Sequence, residues 1–334
     1  MSQQRVTLAD VAAKARVSPS TASLAFSGSG PVAAATRARV LAAAEELEYA
    51  GPDPLARSLR KRRTGVVGVV IGERLRNAFR DPMMVALLDG VAEGLATLGV
   101  GLLLLPPEAD RDAGQDPVPD RLARAALDVL VFATCGADDD PLIDQARARG
   151  IPILGIEGPH RPGVPVVDLD QDGGSRGAAR HLAALGHRRI AVVALPLRAG
   201  GRRGPADATR QAEATFAVPR RRLAGVRAVL GDALPVVETA ANLVEEAEQV
   251  GVALLASPDR PTAVIAQSDL LAIGVVRAAG HAGLRVPEDL SVVGFDGIDT
   301  TGWLPAGSLT TVEQPVAEKG RVAGRMVAAL LSGG

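Results

Sequence analysis

A chain of 334 residues with 47% apolar content is too long for one ordinary domain and has material for two or three cores. Aromatic residues make up only 2%, so those cores are aliphatic and Ala-rich, and the single cysteine, Cys135, excludes an internal disulfide framework. The net charge of −1 hides an asymmetry: residues 1–63 hold ten Lys/Arg against five acids, leaving 27 against 33 for the remainder. A basic head on an acidic body suits a polyanionic partner for the head alone.

The first predicted elements lie in residues 6–26. Thr7 can cap a helix with Asp10 as its capping-box partner. Leu8, Val11 and Ala12 follow on one face. Residues 16–18 break the pattern; Ser18 is a good N-cap and Pro19 suits the first position of a second helix. Ala22, Ala25 and Phe26 make that helix's apolar side, and Ser20, Thr21, Ser23 and Leu24 lie off it. Helices this short need a partner to form a core. Residues 33–47 supply one, with Val40, Leu41, Ala44 and Leu47 at helical spacing. Two short helices, a tight turn and a supporting third are a helix-turn-helix, whose second helix enters the DNA major groove.

After Gly51 and Pro52 the sequence reads DPLARSLRKRRTG. Asp53 and Pro54 can open a short helix over 54–59, and a basic run follows at 60–63. The segment is either a solvated basic linker or one that orders on DNA. From residue 65 short apolar strands alternate with helices. Strands are expected at 65–71, 100–105, 129–133, 151–156, 166–169, 190–195, 236–239, 262–266 and 290–295. Helices are expected at 82–98, 140–149, 172–185, 222–230, 241–256, 269–282 and 315–331. Near-continuous apolar strands alternating with helices mean parallel sheets covered on both faces. About 270 residues of this pattern exceed one typical domain, so two α/β lobes are expected. Residues 197–221, rich in Gly and Arg, form a lid, select an anionic effector or make a flexible solvated loop.

Few residues suggest chemistry. His160, His181, His187 and His281 lack metal-ligand spacing. No nucleotide-binding glycine motif and no nucleophile–base arrangement stands in place. Cys135 reads as a small buried or loop-side thiol. No enzyme, cofactor or metal is expected. No apolar run reaches membrane-spanning length and the polar N-terminus has no signal core, so a soluble, cytoplasmic, nucleoid-associated protein is expected.

The motifs TLADVAAKARVSPSTASLAFSG, ATRARVLAAAEELEY, DPLARSLR, RTGVVGVV, HLAALGHRRIAVV, RLAGVRAVL, LRVPEDLSVVGFDGI and SLTTVEQPVAEKG occur in that order. Together they resemble the lactose-repressor (LacI/GalR) family of bacterial transcription regulators, essentially end to end. The resemblance implies an α/β protein with an all-α helix-turn-helix head and a two-lobed, parallel-sheet core of the type I periplasmic-binding-protein kind. It implies a head at 1–50, a hinge at 51–63 and an effector-binding, dimerising core at 64–334, with crossovers near 165–168, 296–300 and 312–316. The implied protein is a homodimeric repressor that binds a pseudo-palindromic double-stranded operator and answers to a small carbohydrate-like effector. The rival reading is a transport-type sugar-binding receptor.

Carried over residue by residue, DNA contact falls on Thr7, Ser18, Pro19, Ser20, Thr21, Ser23 and Leu24 in the head. In the hinge it falls on Ala56, Arg57, Leu59 and Arg60. Leu59 matches the leucine that wedges into a minor-groove step. Leu24 stands where the family usually has a guanine-reading arginine, and it has no donor to offer. Ala33 replaces a common Ser cap. Effector contact falls on Phe79, Asp81, Glu157, Arg222, Ser268 and Asp296. The guanidinium of Arg222 suits vicinal hydroxyls or a carboxylate, and Asp296 ends a parallel strand, where such clefts bind. Their plain alternatives are a surface arginine and a helix cap. The family's dimer contact implies the helices at 82–98 and 269–282. The sequence stops at LLSGG, where the family commonly continues into a last strand.

Overall fold

The computed structural model describes residues 6–28, 30–51, 63–106, 122, 125–133, 137–304 and 308–332. The chain divides into two compact units, 1–65 and 66–334, each taken by itself.

The first unit holds α1 (Leu8–Lys14), α2 (Pro19–Ser27) and α3 (Ala34–Glu46). The Thr7–Asp10 capping box is formed in both directions. The Ser18 hydroxyl accepts the Thr21 N–H, and α2 ends on Gly28 at φ 68°, a left-handed turn that suits glycine. Ala33 caps α3 without a side-chain bond. Val11, Ala12, Ala15, Ala22, Ala25, Val40, Ala43 and Ala44 make the core, small enough for the helices to approach closely. Leu41 departs from expectation: it is 45% exposed. The buried stripe runs through Val40, Ala43, Ala44 and Leu47, spaced three, four and seven apart, and Leu41 falls outside it.

The second unit has two parallel sheets. β1 (Val66–Val70), β2 (Gly101–Leu105), β3 (Val129–Phe132), β4 (Ile153–Ile156) and β5 (Val166–Val167) form the first, in the order β2-β1-β3-β4-β5. The second comprises β6 (Ile190–Ala194), β7 (Gly204–Pro205), β8 (Val236–Glu238), β9 (Ala263–Ala266), β10 (Ser291–Asp296) and β11 (Thr310–Glu313). Its order is β11-β10-β9-β6-β8-β7, with β7 alone antiparallel. Helices α4 (Leu75–Ala78), α5 (Pro82–Leu95), α6 (Pro141–Ala148), α7 (Gln171–Ala184), α8 (Ala208–Ala212), α9 (Ala217–Leu230), α10 (Val244–Leu255), α11 (Asp269–His281) and α12 (Val316–Ser332) lie between and after the strands. The expected strands are present with ends shifted by one or two residues; β7, β11, α4 and α8 were not expected.

Three boundaries are corrected. α9 begins at Ala217, ahead of Arg222, because Pro219 is tolerated in its first turn. Residues 197–216 are a built segment containing β7 and α8: buried Glu238 accepts the N–H groups of Leu197 and Arg202 and the Nε of Arg210. The expected crossover near 296–300 is absent. Ile298, Trp303 and Leu304 pack with Val244, Leu270 and Ile273, and β11 then rejoins the second sheet beside β10. Among the described residues the chain passes between lobes after β5 and again between β11 and α12.

α12 belongs to the first lobe. Ala323 and Val327 join Leu87, Val91, Val129 and Val131 in one core. Its backbone meets that of α5 through paired glycines. A Cβ at Gly90 would stand 2.4 Å from the Ala317 carbonyl oxygen, and one at Gly324 would stand 2.7 Å from the Gly94 Cα.

Candidate functional site

In the head, Ser18, Pro19, Ser20 and Leu24 face solvent around the start of α2, while Thr21 and Ser23 are half-buried. The Ser18 hydroxyl is shared with those of Ser20 and Thr21, at 2.8 Å each. Hydrogen bonds from Thr7 hold the Asp10 carboxyl below its ordinary pKa. Leu24 is 37% exposed and its methyls cover Gly30, so part of its surface is used within the head. The hinge residues Ala56, Arg57, Leu59 and Arg60, and Cys135, lie outside the described residues.

In the core, a cavity of about 920 Å³ opens between the lobes. Asp81, Glu157, Arg222, Ser268 and Asp296 all line it. Phe79 does not; it caps the end of α4 and is 55% exposed. The wall there comes instead from residues 72–77, with Glu73 and Asn77. Asp81 and Ser268 are the N-caps of α5 and α11.

The cavity adjoins a buried polar hub at the two chain crossings. Glu157 follows β4, Gln171 opens α7, Gln314 follows β11 and Lys319 lies in the first turn of α12. Lys319 Nζ donates to Glu157 Oε1 at 2.7 Å and to Gln314 Oε1 at 2.8 Å. Gln171 donates to Glu157 and accepts from Arg222 Nε. Arg222 also donates to the Gln267 carbonyl, stands 3.7 Å from Asp296 and lies 3.6 Å over the Phe295 ring. Its guanidinium is therefore held by stacking and hydrogen bonds at the cavity wall.

Burial dominates the electrostatics. It pushes Asp296 up to about 8, against the pull of Arg222. Burial, with Asp81 nearby, pushes Glu73 up to about 8. Burial also raises Asp81, against hydrogen bonds from Met83, Met84 and Asn242. Carboxyls in this state can donate as well as accept hydrogen bonds, which suits hydroxylated ligands. Glu157 (φ 60°) and Asp296 (φ 134°) adopt backbone that side-chain-bearing residues rarely visit, a strain that collects at ligand sites.

Sequence reasoning missed Glu73, Gln171, Asn242, Gln267, Gln314 and Lys319. Only Lys319 left a signal, as a lysine in the otherwise small and apolar stripe of Val316, Gly320, Ala323 and Val327. Among the described residues no group of His, Cys, Asp and Glu is placed to hold a metal, and no helix is long and apolar enough to cross a membrane.

The profile for bacterial regulatory proteins of the lacI family matches residues 7–51, and that for a periplasmic binding protein-like domain matches 179–334. A helix-turn-helix-type transcriptional regulator of Mycobacterium tuberculosis is 36% identical across 97% of this chain and 91% of its own length. The chain belongs to the LacI family. It is a helix-turn-helix transcriptional regulator, and the transport-receptor alternative is not favoured. Two solved structures of this family share its fold. The regulator CelR in complex with cellobiose is 28% identical with a TM-score of 0.65, covering 98% of this chain and 94% of that one. The lac repressor dimer bound to operator and an anti-inducer is 25% identical with a TM-score of 0.77, covering 99% and 94%. The LacI-family core is the α/β, parallel-sheet, two-lobed body that the sequence motifs implied, and it follows the all-α head in the chain.

Proposed function

We propose that this LacI-family regulator is a homodimeric repressor without enzymatic activity, acting in the cytoplasm on a pseudo-palindromic operator. A neutral carbohydrate or carbohydrate-like effector in the interlobe cavity sets its DNA affinity. The observation that carries this reading is the convergence of Arg222, Asp296, Ser268, Glu157 and Asp81 on one cavity, in a chain that carries a capped helix-turn-helix. The head at 1–50 reads DNA through Thr7, Ser18, Pro19, Ser20, Thr21, Ser23 and Leu24. With a leucine at the usual arginine position the direct base code is thin, so the hinge at 51–63 carries much of the discrimination. There Ala56 lets two hinge helices pack closely, Leu59 wedges the central step, and Arg57 and Arg60 meet phosphates.

The effector acts by binding one arrangement of the lobes more tightly than the other. Dimerisation through α5 and α11 supports the reading unequally. α11 is almost wholly buried within its own lobe, leaving Val276, Arg277, Gly280 and His281, whereas α5 keeps an exposed flank at Val85, Asp89 and Ala92. The CelR–cellobiose and lac repressor structures support both a sugar ligand and a dimer on DNA.

The test selects operators from random DNA and screens neutral sugars, amino sugars and phosphosugars for a change in operator affinity by fluorescence anisotropy. A neutral sugar shifting affinity about tenfold, or about 1.4 kcal/mol, is expected. A response confined to phosphosugars overturns the neutral-effector reading, and selection that yields no preferred DNA overturns the repressor.

A further inference from the structure

In the wall of the cavity one amide joins the caps of two helices from opposite lobes. Asp81 caps α5 in the first lobe: its Oδ1 accepts the Met83 N–H at 2.9 Å. Its Oδ2 accepts the Asn242 Nδ2 at 3.0 Å. Asn242 lies between β8 and α10 in the second lobe. Its Oδ1 accepts the Ser268 hydroxyl at 2.5 Å, and the same Ser268 oxygen takes the Leu271 N–H at 3.1 Å as the cap of α11. Ser268 is therefore a positioning residue. By holding the amide oxygen it turns the amide nitrogen to Asp81. Beside this chain, Arg80 of the first lobe pairs with Glu245 of the second.

The placement makes these contacts mechanical. The lobes are joined covalently at the two crossings, where Gln171 at the start of α7 and Gln314 after β11 bond Glu157 and Lys319 of the first lobe. Glu157 and Asp296 of the hub and Asp81 and Asn242 of the interlobe bond line the same cavity. Swinging the lobes apart about the crossings breaks the Asp81–Asn242 bond and the Arg80–Glu245 pair. It leaves Asn242–Ser268 intact, since both belong to the second lobe. Asp81 and Ser268 are 2% and 1% exposed, so water does not compete freely for these hydrogen bonds.

We propose that Asp81 and Asn242, oriented by Ser268 and flanked by Arg80–Glu245, form a clasp that shuts the two lobes over the cavity, and that ligand exchange requires the clasp to open. Every donor and acceptor in it belongs to the protein, so the closed arrangement carries its own bonds. A ligand competes for Asp81 with an amide already in place.

Hydrogen–deuterium exchange on the full chain tests this without DNA or ligand, so its failure is separate from failure of the regulator reading. Asn242→Ala removes the amide. The bonded amides of Asn77, Ala78 and Phe79 at α4, and those of Ala247 and the second turn of α10, should then exchange about tenfold faster, about 1.4 kcal/mol of lost protection. Asp81→Asn combined with Asn242→Asp swaps the partners. The Asn at 81 still accepts the Met83 N–H and donates to the carboxylate at 242, which still accepts from Ser268. The swapped pair should return exchange to within about twofold of the parent. Parent-like exchange in Asn242→Ala overturns the clasp. So does a swapped pair that stays fast at α4 and α10. If Asn242→Ala unfolds, exchange rises throughout, and the swapped pair decides alone.

Discussion

Lys319→Met strands a carboxylate inside the protein. Lys319 and Glu157 side chains are 1% and 3% exposed, and Lys319 is the cation bonded to that carboxylate. Methionine fills the space of the lysine stem but leaves Glu157 with only the Gln171 amide, and leaves Gln314 Oε1 without its donor. The stranded carboxylate escapes by taking up a proton. At pH 7 that costs an ordinary carboxyl of pKa about 4.3 about 3.7 kcal/mol. This agrees with the roughly 3–5 kcal/mol measured when one partner of a buried pair is removed. The lost bond to Gln314 adds about 1 kcal/mol. Urea unfolding followed by circular dichroism should therefore show a loss of about 5 kcal/mol at pH 7. The proton explanation fixes the sign of the pH dependence. A carboxyl whose folded form is held protonated is penalised above its unfolded pKa and not below it. The deficit should shrink by up to about 1.4 kcal/mol per pH unit as pH falls from 7 toward 4.5. Combining Lys319→Met with Glu157→Met, which removes the charge, should recover most of it. A single variant within about 1 kcal/mol of the parent, or a deficit equal at pH 5 and pH 7, would refute the reasoning.

Glu73 and Asp296 hold protons up to about pH 8 in the folded protein, so stability should fall as pH rises from ordinary carboxylate values through 8, by up to about 1.4 kcal/mol per unit for each group. Thermal melts from pH 5.5 to 8.5 should show the decline and Asp296→Asn should flatten it; melting temperatures that climb over that range would contradict the assignment. Gly90→Ala drives a methyl against the Ala317 carbonyl, and chemical denaturation should report a loss of about 1–3 kcal/mol, where an unchanged midpoint would mean that α12 can slide away. For the hinge, Leu59→Ala should lower operator affinity and DNA bending together in gel-shift assays, and intact bending would remove the wedge.

The head was legible because its signals are local. Thr7 with Asp10 and Ser18 with Pro19 set helix starts by side-chain chemistry within a few residues, and the structure repeats them. Leu41 misled because one-dimensional spacing admits two overlapping stripes, and the choice between them belongs to the partner helices. Strand positions were legible from apolar runs, whereas β7 and β11 are short, polar or glycine-bearing and exist because β8 and β10 offer an edge. The cavity residues came from motif resemblance, and Phe79 shows its limit: a position beside a strand end says nothing about which way the side chain turns. The glutamines and Asn242 left no trace because an amide's role depends on what it meets across the fold.

The pairing of α5 with α12 bears on the order in which the protein is made. The first lobe begins at β1, but its core lacks Ala323 and Val327 until the second lobe has been synthesised in full. The second lobe, continuous from α7 to β11, has all its parts as soon as it leaves the ribosome. Domains commonly fold as units in order of synthesis; here the lobe that starts first is expected to finish last, its half-built sheet waiting with Leu87 and Val91 uncovered. Chains truncated just before residue 316 and released from the ribosome should carry a protease-resistant second lobe and a cleavable first one, and the reverse pattern would show that α12 is dispensable to the lobe it completes.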